Sequence, residues 1–343
     1  MDGEGVHDEV KIIKINKEDI CAMNILLLSC GTRNKIVQYF KKELAGIGHV
    51  LAADCSKLAP ALYDADQSFI VPSIEEEGYL EVVLNICKDK NVKAVLSLID
   101  PELSILAANR DKFLSIGTIP IVSDYEIVEI CYDKSKMYKF LTNNGFKTMK
   151  SYLNKETFYK DVEAGIVNYP VFLKPVKGSA SININKVWSK EEIELLFKKH
   201  EDLIIQEFMD GQEYGADVYI DMITGETVSV FLKQKIKMRA GETDKSISIK
   251  DDNLFSLIKH FVKTAGFRGI IDIDIFKVND EYYISEVNPR FGGGYPHAYE
   301  CGVNVPKMIV NNISGKPNEA NIGNYAEGIY MMKYNEVKIV PKR

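Results

Sequence analysis

The sequence has little of what several fold classes and partners require. Its six cysteines (Cys21, Cys30, Cys55, Cys87, Cys131 and Cys301) form no CxxC pair and no pairing pattern. That excludes a disulfide scaffold and predicts reduced thiols in a cytoplasmic protein. No apolar run approaches the roughly 20 residues that span a bilayer, so no membrane is expected as a partner. There is no basic block with interleaved aromatics, and the formal net charge is -6. A nucleic-acid partner is therefore not expected either. The first residues are acidic and polar, unlike a signal peptide. No GxxxxGK[ST] occurs. The first strand is followed by Ser29-Cys-Gly-Thr-Arg-Asn rather than GxGxxG, so Asp54 does not mark a nicotinamide site. Internal repeats and low-complexity tracts are absent too.

What is present is enough chain for two or three subdomains with their own cores. After a charged lead-in over residues 1–22, with one short strand at Val10–Ile15, strands and helices alternate. Strands are expected at 24–29, 49–53, 94–99 and 120–122, and helices at about 35–45, 79–88 and 102–113. This is the pattern of a parallel α/β sheet, with functional loops at the C-terminal strand ends. A helical linker covers 124–132, and Asp133 is a plausible N-cap for the helix that Asn143–Gly145 stops. The remainder reads as α+β: strands at 171–175, 203–208, 214–220 and 227–234, helices at 190–199 and 253–265, a polar loop at 237–246, a helix at 305–314, and final strands at 328–334 and 337–340.

The most informative stretch is GIIDIDIFKVNDEYYISEVNPR at 269–290, followed by FGGG. Strand alternation puts Asp272, Asp274 and Phe276 on one face and Ile271, Ile273 and Ile275 on the other; on the return strand Ile284, Glu286 and Asn288 share a face. A two-residue turn at Asn279–Asp280 would set Glu286 opposite Ile273. A three-residue loop, Asn279–Asp280–Glu281, sets Glu286 opposite Asp274 and Asn288 opposite Asp272. Only the second register sorts acids from isoleucines, so it is the one expected. Grouped acids of this kind suit a hard cation, which in turn suits phosphates; the competing reading is an exposed polar sheet face.

Upstream, a strand delivers Lys174 into a small-residue turn, KGSAS, whose backbone and hydroxyl donors suit phosphate oxygens. Taken alone, a lysine there is usually just solvated. In Ile204-Ile-Gln-Glu-Phe-Met-Asp-Gly-Gln-Glu-Tyr, an apolar strand exposes backbone fit for an adenine edge, and Glu213 beyond the Gly turn can accept from ribose hydroxyls.

This order of elements, a strand-terminal Lys with its loop, then QEF-x-x-G-x-E, then an acidic hairpin ending E-x-N-P-R, resembles the ATP-grasp superfamily. The likeness is greatest to single-unit proteins similar to half of the carbamoyl-phosphate synthase large subunit, and it covers residues 24–343. The resemblance implies an N-terminal parallel-sheet (Rossmann-like) domain at 23–123. A linker helix and small lid subdomain would follow at 124–209, and a C-terminal antiparallel-sheet domain with the metal hairpin at 210–343. It implies that Lys134 and Lys174 contact ATP phosphates under the loop of Gly178, Ser179 and Ser181. Gln206, Glu207, Phe208 and Met209 would line the adenine, with Glu213 on the ribose. Asp274, Glu286 and Asn288 would hold Mg2+, with Mn2+ as a substitute, and Arg290 would face the transferred phosphoryl group. The loop carries one glycine where the family often has two or more. Asp272 is an additional acid with no assigned role.

The expected function is an ATP- and Mg2+-dependent ligase joining a carboxylate to an amine through an acyl phosphate, with small-molecule substrates and a homodimer allowed. The alternatives are a phosphotransferase that stops at an acyl or carbamoyl phosphate, and a non-catalytic ATP-binding module. Substrate candidates are Asp100 and Glu102 after a buried strand, Arg239 with Glu242 in the polar loop, and His297. Each has a plain rival: helix capping for the first two, solvation for the loop pair, a structural role for a lone His.

Overall fold

The computed structural model describes residues 22–178 and 184–341. The lead-in with its expected strand at Val10–Ile15, Cys21, and the loop residues Ser179 and Ser181 lie outside the described residues.

The first unit is a five-stranded parallel sheet of β1 (Asn24–Leu28), β2 (Val50–Asp54), β3 (Gln67–Ile70), β4 (Val92–Ser97) and β5 (Ile119–Pro120), in the order β3-β2-β1-β4-β5. Helices α1 (Asn34–Leu44), α2 (Tyr79–Asp89), α3 (Asp100–Ala108) and α4 (Arg110–Ser115) accompany it. The continuous apolar run of β1 has a physical cause. Ile25 and Leu27 belong to one core cluster, Leu26 and Leu28 to another, so the strand is buried on both faces. Strand order reverses between β1 and β4, the place where such sheets open a crevice at their C-terminal edge. The single helix expected at 102–113 is two helices, parted at Asn109, whose side chain donates to Ile105 O. Strand β3, which is mostly exposed and shows no apolar alternation, was not expected.

Helix α5 (Tyr125–Tyr132) leads into α6 (Lys134–Asn143). Asp133 caps α6, its Oδ1 accepting from Ser135 N at 2.9 Å and Lys136 N at 3.1 Å. A four-stranded antiparallel sheet follows, with β6 (Ser151–Tyr152), β7 (Val171–Pro175), β8 (Asn185–Val187) and β9 (Leu203–Glu207) in the order β6-β9-β7-β8. Helices α7 (Lys155–Glu163) and α8 (Lys190–Lys199) close its small core around Phe158, Leu173 and Ile205.

The third sheet has six antiparallel strands: β10 (Gln212–Ile220), β11 (Thr227–Arg239), β12 (Glu242–Ile249), β13 (Gly269–Val278), β14 (Glu281–Asn288) and β15 (Tyr330–Met332). They run in the order β14-β13-β10-β11-β12-β15. Helix α9 (Asp252–Ala265) packs in the cluster that buries one face of this sheet, and α10 (Tyr295–Glu300) and α11 (Val305–Ile313) complete the chain's helices among the described residues. The expected polar loop at 237–246 is instead the tip of the β11–β12 hairpin, turned by Ala240 (φ 50°) and Gly241 (φ 76°). Residues 337–340 do not form the expected final strand.

Candidate active site

The polar face of the six-stranded sheet is built by pairing register. Asp272 lies opposite Asn288, and Asp274 opposite Glu286, as strand sorting demands. The route differs from the expected three-residue loop. Asn279 (φ 49°) and Asp280 (φ 62°) form a two-residue turn with Val278 opposite Glu281, and the pairing shifts by one between Asp274 and Ile275. The two left-handed residues fit a type I′ hairpin turn. Ser285 is the extra residue of the resulting bulge, since Ile275 pairs Ile284 while Asp274 pairs Glu286. The bulge moves Ile284 into the core with Ile271, Ile273 and Ile275 and leaves Glu286 on the polar face. Ile284 therefore does not share a face with Glu286 and Asn288. A slip of the whole hairpin would bring out three isoleucines that are fully buried. At about 1.5–3 kcal/mol each, that cost decides the register.

Neighbouring strands extend this face. Gly215 of β10 pairs Lys233 on one side and Asp274 on the other, and Asp217 pairs Asp272. Lys233 Nζ donates to Asp217 Oδ2 at 2.5 Å, both side chains 1% exposed. Lys235 Nζ donates to Glu213 Oε1 at 2.7 Å and to Asp274 Oδ1 at 2.5 Å. Gly215 makes room for both lysines: a Cβ there would stand 2.8 Å from Lys233 Cε and 3.2 Å from Lys235 Cε. Burial, reinforced by Asp274, raises Asp272 well above the usual carboxylate range. Burial also raises Glu213 and Asp217, against the pull of Lys235 and Lys233 respectively. Lys235 is held charged, because Asp274 and Glu213 together outweigh its burial.

The face opens into a cleft of about 390 Å³. Lys174, Gln206, Glu207, Met209, Glu213, Asp272, Asp274, Glu286, Asn288 and Arg290 line it, along with Arg239 and Glu242. Lys174 is buried and is lowered to about 8 by burial, with Glu286 partly opposing. Lys134 lies in an adjoining small cavity beside Gln206 and Glu286, and its Nζ donates to Gly178 O at 2.6 Å. Gln206 is fixed by a 3.0 Å bond to Ser151 Oγ. The Phe208 ring packs against Phe172, with the Lys186 ammonium over it.

Arg290 turns toward the first sheet. Its Nε and Nη2 donate to Asp100 Oδ2 at 2.9 and 2.7 Å, and Asp100 outweighs burial to raise the guanidinium further. Asp100 is thus the ion-pair partner of Arg290 through Oδ2, and it does not itself line the cleft. Glu102 is buried at 1% exposure, bonded to Tyr79 and Ser97, and does not line the cleft. His297 is equally withdrawn: Ser246 Oγ lies 2.8 Å from its Nδ1 and Ile329 O 3.0 Å from its Nε2. Arg239 does reach the cleft and pairs with Asp244 at 2.8 Å.

Sequence reasoning missed Lys233, Lys235, Asp217 and Arg33. Arg33, from the turn after β1, pairs with Glu242 at 2.8 Å and lines the cleft. The FGGG run presses on this layer. A Cβ on Gly292 would meet the Asp272 carboxyl at 2.4–2.6 Å, one on Gly293 the Glu242 carboxyl at 2.6 Å, and one on Gly294 Lys233 Nζ at 2.8 Å. Among the described residues, no three His, Cys, Asp or Glu side chains are gathered as a ready metal cage. Two carboxylates and one amide (Asp274, Glu286, Asn288) do share a face, a donor set of oxygens that suits Mg2+ completed by phosphate oxygens and water.

Comparison with known proteins separates the chain into two parts. Residues 25–122 match the PylC-like N-terminal domain, and residues 131–294 match an ATP-grasp domain. The carbamoyl phosphate synthase arginine-specific large chain of Geobacillus stearothermophilus is 22% identical over 76% of this chain and 26% of that one. The D-alanine–D-alanine ligase of Bacillus licheniformis is 29% identical over 52% of each. The chain thus spans about a quarter of the first relative and about half of the second. The biotin carboxylase domain of Hydrogenobacter thermophilus 2-oxoglutarate carboxylase, solved with MgADP and bicarbonate, shares the fold. Its TM-score is 0.70 at 16% identity, over 89% of this chain and 73% of that one. No helix among the described residues is long and apolar enough to cross a membrane.

Proposed function

We propose that this chain, which belongs to the ATP-grasp superfamily, is an ATP- and Mg2+-dependent ligase that joins a carboxylate to an amine and releases ADP and phosphate. The observation that carries the reading is one cleft with oxygen donors on its floor, buried cations on its walls and Arg290 at the end facing the first sheet.

Lys174 and Lys134 would hold the phosphates. Lys174 has no ion-pair partner among the described side chains, and burial makes its charge costly until an anion arrives. Gln206 to Met209 would take the adenine edge and Glu213 the ribose hydroxyls. Asp274, Glu286 and Asn288 would hold Mg2+, which supplies charge to the anion that develops in phosphoryl transfer. A substrate carboxylate oxygen would attack the γ-phosphorus as the bond to the β-bridging oxygen breaks, giving an acyl phosphate and ADP. The amine would then attack the acyl carbon and expel phosphate, with a proton leaving the nitrogen. Arg290, preset by Asp100, is a donor for the oxyanion formed in that step. The work is positioning and charge, with no covalent nucleophile on the protein.

The test is ADP release from purified protein against pairs of amino acids and small carboxylates. Release that needs both partners supports the ligase. Release with a carboxylate alone would replace it with a phosphotransferase, and none with any pair would favour a binding module.

A further inference from the structure

The cleft floor holds a cation of its own. Lys235, 3% exposed, sits between Glu213 and Asp274, bonded to both. These are the two carboxylates placed above on the ribose and on the metal. Its neighbour Lys233 is spent on Asp217, so Lys235 is the cation on this face that answers Glu213 and Asp274, two of the cleft-lining acids. Gly215 beneath it keeps the space its stem needs.

We infer that Lys235 is a resident counter-ion. It occupies Asp274 and Glu213 until nucleotide and metal arrive together, and so keeps the acidic floor from collecting free divalent cations. The inference rests on the ATP reading of the cleft. Physically, these carboxylates without Lys235 would attract a bare divalent cation and repel a polyphosphate; one fixed positive charge among them weakens both effects. When metal and nucleotide enter as one complex, Asp274 exchanges an ammonium for a metal, Glu213 exchanges it for ribose hydroxyls, and the freed ammonium meets the incoming phosphates. Lys235 is in this sense a positioning residue whose effects on metal and on nucleotide have opposite signs.

That sign difference is the test. Mn2+ alone and ADP alone are titrated by calorimetry into the wild type, Lys235→Met and Lys235→Arg. Lys235→Met is expected to bind Mn2+ at least about tenfold more tightly and ADP at least about tenfold more weakly, from the loss of one unit charge at close range. Lys235→Arg, which keeps the charge, is expected to stay near wild type on both. Weaker or unchanged Mn2+ binding by Lys235→Met, or Lys235→Arg behaving like Lys235→Met, would overturn the inference, since a merely structural lysine weakens both ligands when removed. If Lys235→Met melts far below wild type, Lys235→Gln is read in its place by the same criteria. A wild type that binds no ADP, with or without Mn2+, would sink the ATP reading instead, and the Mn2+ arm still decides the role of Lys235.

Discussion

The two faces of the six-stranded sheet come from the same residues taken alternately, and they do opposite work. One face, with Ile271, Ile273, Ile275, Ile284 and Val287, is sealed against a helical layer. The other carries Glu213, Asp217, Lys233, Lys235, Asp272 and Asp274 within hydrogen-bonding strands of the same sheet. The difference teaches that the apolar face fixes the register and the ionic face spends it. Charges at this density are a poor source of stability, because removing them from water offsets their attraction. They are held in place by what the isoleucines contribute behind them.

Substitutions on each face should therefore separate stability from activity. The largest effect expected is Glu286→Gln: turnover lost by about a thousandfold or more, with an unchanged melting curve, because a metal-holding carboxylate is replaced by a neutral isostere. A fully active Glu286→Gln would remove that residue from the metal set. Asp217→Ala breaks the contrast from the other side, since it strands Lys233 buried and unpaired; unfolding measurements should show a loss of about 3–5 kcal/mol. Ile273→Ala should cost about 2–5 kcal/mol in denaturant titration while leaving the affinity for ADP near wild type. If ADP binding collapsed in step, the two faces would not be separable. Lys174→Ala should weaken ATP about tenfold by calorimetry, the scale of one charge-assisted phosphate contact.

The smallest effect is in pH. Lys174 is lowered by burial to about 8, so in the free protein its charge is lost as pH rises through that value. Between there and the ordinary lysine range the unfolded chain binds the extra proton, so this group's burial penalty is relieved and its effect on stability is favourable with rising pH. Phosphate binding moves the other way. ATP affinity should fall as pH rises through about 8, and Lys174→Arg, always charged, should flatten that fall.

How much of this was legible in the sequence depended on whether the signal was local. The acids of β13 announce themselves because Asp is disfavoured in strands and alternates there with isoleucine. The pairing of Asp274 with Glu286 followed from sorting those residues. The bulge did not, although a sign of it was present: Ile284 and Glu286 have the same parity, yet one is needed in the core and the other in the cleft. Lys233 and Lys235 were illegible for a different reason. In TVSVFLKQK they read as a strand running out into solvent, and the carboxylates that bury them sit 16 to 39 residues away. The hairpin beyond them was taken for a loop because its run of polar residues, KMRAGETDKS, shows no apolar alternation, and several of them (Lys237, Arg239, Lys245) do face water. Arg33 gave no local hint, since its partner lies on another sheet. Asp100 was singled out by its place after a buried strand, but its pairing with Arg290 was not, because that partner is 190 residues away.

The bond between Asp100 and Arg290 has a consequence for anyone who would rebuild this molecule. In sequence the chain looks modular, one unit ending near residue 122 and another beginning near 131. In charge it is not. A chimera that took its first unit from a relative would inherit a sound parallel sheet, and it would leave Arg290 without the acid that aims it unless an aspartate came along at the start of α3. The seam between the two units is best drawn through that ion pair, and a graft should be chosen by what it offers at that one position before any other likeness is weighed.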